Sequence, residues 1–224
     1  MSESSIETPP ERSASEVLRV TMPAGFMVAS QESIARHQAE IHSRRVAALR
    51  AGWCAPERHL VQRVERVGEW AEKLDKISAR MISRPGALVA LVGRQGNGKT
   101  QLAVELMRLT TARLKSARFT TAVGFFLKLK ATFRKYARVS EEEVLLEFLR
   151  PQLLVVDELE KRGDSVWENN LLFELINQRY NALKDTVLIA NATKSTFQEY
   201  VGDSIVSRLN ETGGLVECNW SSRR

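Results

Sequence analysis

Three unbroken apolar runs of strand length, ALVALV at 87–92, QLLVVD at 152–157 and TVLIA at 186–190, stand out along the chain. Weaker runs lie at 118–122 and 214–218. Helical spacing fills the intervals at 98–115, 123–137, 140–149 and 165–182, and Ser140 with Glu143 is spaced as a capping box. Continuous apolar strands alternating with helices predict a parallel sheet covered on both faces, because a strand with one wet face would alternate in polarity. Upstream, Leu60, Val64, Val67, Ala71, Leu74, Ile77 and Met81 recur at steps of three or four. They predict one long amphipathic helix over 57–82, stopped by SRPG. Residues 31–50 predict a short basic helix with Ile34, Ile41 and Ala48 on one side, and AGWCAP breaks the chain after it. The first 16 residues are rich in Ser, Glu and Pro and suit a disordered tail. The expected organisation is a tail over 1–30, a helical region over 31–55 and one α/β domain over 56–224.

Composition narrows the classes. The chain has 224 residues, 43% of them hydrophobic, which is enough for a real core. The net charge of +6 favours an anionic partner. Two cysteines, Cys54 and Cys218, argue against a disulfide framework and suit a reducing cytoplasm. No apolar run approaches the roughly 20 residues of a membrane helix. The polar N-terminus lacks the apolar stretch of a secretory signal, so a cytoplasmic protein is expected. His37, His42, Cys54 and His59 lack zinc-ligand spacing.

The chemistry sits where the first strong strand ends. GRQGNGKT, Gly93–Thr100, fits G-x-x-x-x-G-K-[ST] between a strand and a helix. The glycines let backbone N–H groups turn inward around phosphates, and the helix N-terminus adds its positive dipole. Gly93, Gly96, Asn97, Gly98, Lys99, Thr100 and Gln101 are therefore expected to bind the nucleotide. Lys99 would reach the terminal phosphates and Thr100 would ligate Mg²⁺. LLVVDE, Leu153–Glu158, delivers two carboxylates to the end of the next strong strand. Asp157 is placed to contact Mg²⁺ and Glu158 to polarise the attacking water. TVLIANAT ends in Asn191, a polar side chain suited to position water near the terminal phosphate.

These residues together resemble an AAA+ ATPase, with Walker A at Gly93–Thr100, Walker B at Leu153–Glu158 and sensor 1 at Asn191. The stretches FRKYARVSEEEVLLEFLRPQLLVVDELEKR, LFELINQRYNALKDTVLIANAT and GDSIVSRLNETGGLVECNW are similar to DnaC-type replicative helicase loaders and the related IstB transposition helpers. The resemblance covers about residues 85–224. It implies a three-layer P-loop NTPase fold with a five-stranded parallel sheet in the order 5-1-4-3-2 and a small helical N-terminal region. It implies ATP and Mg²⁺ as cofactors, and self-association into a spiral or ring on single-stranded DNA. Arg208 falls at the position whose guanidinium reaches a neighbour's ATP as a finger. Only 33 residues follow Asn191, too few for the usual helical lid, so Arg224 is the matching position for sensor 2. Arg179 matches a recurrent family position near the subunit boundary.

Residues 118–138 carry Arg118, Lys128, Lys130, Arg134, Lys135 and Arg138 with no acid among them. In the related loaders this region lines the DNA channel, and Lys128, Lys130, Arg134 and Lys135 are expected to touch DNA. Phe126, Phe133 and Tyr136 have helical spacing and are assigned to the core. The 31–67 region has seven Arg against four Glu and matches the part with which loaders grip the helicase. The expected function is ATP-dependent loading of a replicative helicase on single-stranded DNA. An IstB-type transposition helper on duplex DNA is the alternative. A P-loop small-molecule kinase fits less well, because the acid pair and Asn191 favour hydrolysis.

Overall fold

In the computed structural model, residues 31–62, 64–163 and 165–220 are described. The expected tail and Arg224 lie outside them. The elements in chain order are α1 (Gln31–Ala51), α2 (Glu57–Val61), α3 (Gly68–Ser83), β1 (Leu88–Val92), α4 (Lys99–Ala112), β2 (Ala117–Thr121) and α5 (Ala122–Lys130). There follow α6 (Glu141–Leu149), β3 (Leu153–Asp157), α7 (Val166–Asn181), β4 (Asp185–Ala190), α8 (Lys194–Val201), α9 (Asp203–Thr212) and β5 (Gly214–Glu217). Short 3-10 turns follow α5 at Ala131–Phe133 and β3 at Leu159–Lys161. The chain divides into two units, Met1–Ile41 and His42–Arg224. The described part of the first is helical, with an Arg36–Glu32 pair one turn apart.

The five strands form one parallel sheet in the order β2-β3-β4-β1-β5, as the resemblance implies. Alternate residues of each central strand feed two cores. Val89, Leu91, Val155, Val187 and Ile189 pack with Trp70, Leu74, Leu102 and Leu106 from α3 and α4. Leu88, Ala90, Leu154, Val156 and Leu188 pack with Phe125, Phe148, Leu172 and Ile176 from the other face. Each Val, Leu, Ile or Phe side chain among them contributes about 1.5–3 kcal/mol on burial. The Ser140 capping box is present, with Ser140 Oγ accepting from Glu143 N at 3.1 Å and Glu143 Oε2 accepting from Ser140 N at 2.8 Å. Helices α8 and α9 fill a stretch that the periodic reading leaves unassigned. Among the described residues no helix is long and apolar enough to cross a membrane.

Four expectations are corrected. The helix over 57–82 is broken between α2 and α3. The carbonyls of His59 and Leu60, which a continuing helix would give to its next turn, accept instead from Arg108 Nη2 at 3.1 and 2.6 Å. The helix over 123–137 stops at Lys130, where the Thr132 hydroxyl takes the Leu129 carbonyl at 2.7 Å. Phe126 is buried as expected, but Phe133 is 59% and Tyr136 85% exposed, because they lie beyond the shortened helix. Arg179 is not at a boundary. It is fully buried and spends its guanidinium on its own chain, donating to Thr186 Oγ1, Asp185 O, Phe148 O and Pro151 O at 2.6–3.0 Å.

AGWCAP does more than interrupt. Trp53 is buried, its indole N–H donates to Thr111 Oγ1 at 3.0 Å, and its carbonyl accepts from Phe119 N at 2.7 Å. This anchors the segment before α2 to the edge strand.

Candidate phosphate and hydrolysis site

The glycine-rich turn wraps from the end of β1 into α4. Gly98 caps α4 in the left-handed region (φ 74°), which a glycine enters without a Cβ penalty. Gly93 needs its missing side chain for a second reason: a Cβ there would come within 2.7 Å of the Cys218 carbonyl. The turn is braced from both flanks. Asn97 Nδ2 donates to that Cys218 carbonyl, and Trp220 Nε1 donates to Asn97 O, both at 2.5 Å. Trp70 of α3 donates to Gly98 O at 3.3 Å. Asn97 is thus a brace as well as a member of the loop. Trp70 has no motif that singles it out in the sequence, and Trp220 only closes the family-similar stretch GDSIVSRLNETGGLVECNW.

Lys99 is buried, and its ammonium donates to Gly93 O (2.7 Å), Arg94 O (2.8 Å) and Asn191 Oδ1 (2.9 Å). Burial pulls its pKa down, against the nearby charges of Asp157 and Glu160. Thr100 Oγ1 donates to Asp157 Oδ2 at 2.7 Å, and Asp157 Oδ1 accepts from Glu158 N at 2.7 Å. Glu158 itself is left-handed (φ 57°, ψ 43°) and its carboxylate accepts from Lys161 Nζ at 2.5 Å. The backbone therefore turns sharply after β3 and sets Glu160 against Asn191 at the end of neighbouring β4. Glu160 Oε1 accepts from Asn191 Nδ2 at 2.6 Å and Oε2 from Asn191 N at 3.1 Å. Sequence reasoning misses Glu160, since no motif carries an acid there.

A cleft of about 940 Å³ opens over these groups, lined by Gly96, Gly98, Lys99, Thr100, Asp157, Glu158 and Asn191. Its other wall comes from the segment around α2, including Arg58, His59, Gln62 and Glu65. Gln101 also lines it, but its amide is engaged with that wall: Oε1 meets His59 Nδ1 at 2.8 Å and Nε2 donates to His59 O at 3.3 Å. Arg108 and Glu105 extend the same latch.

The remaining candidates lie elsewhere. Arg208 does not line the cleft. Its guanidinium donates to Asn177 Oδ1 (2.8 Å) and Ser204 O (3.0 Å) and lies over the rings of Phe173 and Tyr180. Lys128 pairs with Glu147 at 2.5 Å, and Lys130 with buried Glu168 at 2.8 Å while sitting over Trp167. Arg134 and Lys135 follow the turn Ala131–Phe133, and Lys135 sits over the exposed Tyr136 ring.

Burial of Asp157 raises its pKa above 3.8, against the Thr100 and Glu158 hydrogen bonds that lower it. A raised folded-state pKa means the folded chain holds the proton better than the unfolded one. Stability from this group is full below 3.8 and is lost as pH rises through the raised value. Asp157→Asn is therefore expected to stabilise the fold at pH 7 by about 1 kcal/mol. In melting curves that is roughly 2–4 °C, shrinking toward zero below the unfolded pKa.

The family model described as IstB-like ATP binding protein matches residues 14–218. The replicative helicase loader DnaC of Escherichia coli K12 is 27% identical over 133 residues, covering 59% of this chain and 54% of that protein. The chain thus spans about half the length of that curated relative. The crystal structure of DnaI superposes with a TM-score of 0.61 at 17% identity, covering 74% of this chain and 95% of the other. A replication initiator DnaA bound to AMPPCP and single-stranded DNA gives 0.58 at 21% identity, covering 70% and 49%. The structural likenesses identify the fold as the P-loop AAA+ type.

Proposed function

We propose, since the chain belongs to the family of IstB-like ATP-binding proteins, that it is a DnaC-like ATPase whose nucleotide switches its grip on single-stranded DNA and a replicative helicase. One observation carries the reading: Lys99, Thr100 and Asp157 meet at a braced cleft with Glu158 and Asn191 on its rim. Lys99 and the N–H groups of the turn would hold the triphosphate. A hydroxyl and a carboxylate 2.7 Å apart are the hard-oxygen donors that Mg²⁺ takes alongside phosphate oxygens and water. Bound Mg²⁺ would neutralise charge on the phosphates. Glu158 would take the proton of the attacking water.

Arg208, outside its own cleft, would serve a neighbour's. A contact of that kind is head-to-tail and builds rings or open helices. Arg224 would assist as sensor 2. Region 31–55 would grip the helicase. Its helix α1 buries none of its residues and presents exposed Ile34 and Ile41 among basic side chains. A cytoplasmic location accords with such partners.

The DNA surface would centre on the loop around Arg134, Lys135 and exposed Tyr136, with Lys128 and Lys130 already paired to acids. Exposed aromatics beside cations suit bases that stack and a backbone that pairs. Tyr136→Ala is expected to weaken single-stranded DNA binding about tenfold. Lys135→Ala should flatten the salt dependence by about one phosphate contact. Fluorescence anisotropy over a salt series reads both, and unchanged binding in both variants would move the DNA surface elsewhere.

The test of the whole reading is phosphate release with and without single-stranded DNA, plus co-purification with a bacterial replicative helicase with and without ATP. Stimulated hydrolysis and ATP-dependent retention are expected. Failure of retention removes the loader role. Preference for long duplex DNA would select a transposition helper.

A further inference from the structure

The amide of Asn191 is held between two groups of fixed hydrogen-bonding sense. On one side, both oxygens of Glu160 are engaged, Oε1 by Asn191 Nδ2 (2.6 Å) and Oε2 by Asn191 N (3.1 Å). On the other, Lys99 Nζ lies 2.9 Å from Asn191 Oδ1. An ionised carboxylate only accepts and an ammonium only donates. Turning the amide over would set NH₂ against ammonium and oxygen against carboxylate, losing two charge-assisted bonds at once. The orientation is therefore dictated by the neighbours. The turn that carries Glu160 is itself pinned by Leu159, which is fully buried in the core.

We propose that Glu160 is a positioning residue that presents Asn191 to the cleft as a hydrogen-bond acceptor, so that Asn191 orients the attacking water and not the phosphate oxygens. The proposal rests on the ATPase reading above. A carbonyl-type oxygen repels phosphate oxygens but accepts a hydrogen bond from water. With Glu158 taking one proton and Asn191 Oδ1 accepting a bond from the other, the water's lone pair is left to face phosphorus. The water oxygen then bonds to the γ-phosphorus. The bridging P–O bond breaks, with its electron pair leaving on ADP. One proton passes to Glu158, and the other stays on the new phosphate.

The experiment compares Glu160→Ala, Glu160→Gln, Asn191→Ala and the double alanine variant. Turnover is read by phosphate release and nucleotide affinity by titration with a fluorescent ATP analogue. Glu160→Ala and Asn191→Ala should each lower kcat about tenfold, with nucleotide affinity unchanged in Asn191→Ala and unchanged or higher in Glu160→Ala, where a negative charge has left the phosphate site. The double variant should fall no further than either single one. Glu160→Gln, which keeps an acceptor, should recover part of the loss. Wild-type kcat in Glu160→Ala, additive losses in the double variant, or affinity falling in step with kcat would each overturn the proposal.

A second readout needs no hydrolysis. In protein labelled with [¹⁵N]asparagine, the Asn191 NH₂ resonance, assigned by its loss in Asn191→Ala, should move in Glu160→Ala. A wild-type chain that never hydrolyses ATP would overturn the ATPase reading alone. An Asn191 resonance unmoved in Glu160→Ala would overturn the positioning role.

Discussion

Glu158→Gln is expected to bind ATP with near wild-type affinity and to hydrolyse it 100-fold to 10,000-fold more slowly, about the contribution of a positioned general base. Glutamine keeps the length of the side chain and an oxygen for Lys161, whose ammonium now sits 2.5 Å from Glu158 Oε1. It cannot take a proton. The main chain supports this assignment of labour, because Glu158 occupies a left-handed conformation that costs a non-glycine residue on the order of 1 kcal/mol. That turn lifts the carboxylate off the strand axis while Asp157, one residue earlier, stays buried against Thr100. The two acids thus sit in different environments, separated by one backbone dihedral pair. Steady-state phosphate release and equilibrium titration with a fluorescent ATP analogue check the split. Turnover within threefold of wild type would place the base elsewhere.

Arg179→Ala is expected to be the most damaging single substitution for folding. The Arg179 guanidinium is buried beside the starts of β3 and β4, and it donates to three carbonyls and one hydroxyl at 3.0 Å or closer and to two further carbonyls at 3.4 Å. Burial pulls its pKa down to about 9, against the nearby Asp185 charge, so it remains a cation at neutral pH. Alanine would leave these acceptors facing a cavity. Removing one partner from a buried charged network typically costs about 3–5 kcal/mol, a large share of the roughly 5–15 kcal/mol by which domains are stable. A melting temperature lowered by roughly 10 °C or more is expected. Lysine, with three donors against five, should recover only part of it. An unperturbed melting curve for the alanine variant would show that water substitutes for the guanidinium without loss.

The difference between Arg179 as read in sequence and as folded has a simple origin. On a helix an arginine looks like surface. Its burial depends on carbonyls of the 148–152 stretch and of Asp185 converging on one guanidinium, which no local pattern encodes. Glu160 was unreadable for a related reason. Its partner Asn191 is 31 residues away, and the two meet only because β3 and β4 are neighbours and Leu159 pins the turn between them. Phe133 and Tyr136 failed differently: their spacing was helical, but the helix needed for that spacing to matter ended at Lys130.

By itself, the sequence determined the five strands, their parallel arrangement and the phosphate turn. Those features follow from local rules: unbroken apolar runs must be covered on both faces, and a glycine-rich turn before a helix gathers N–H groups. Tertiary structure alone decided how the turn is braced by Trp70, Trp220 and Cys218, and where the segment around α2 closes the cleft. It also decided which way the Asn191 amide faces. Each of these depends on a donor meeting an acceptor across many residues of chain. Such pairs are selected by the packing of the whole domain, since a buried polar group takes whatever partner the fold brings within reach.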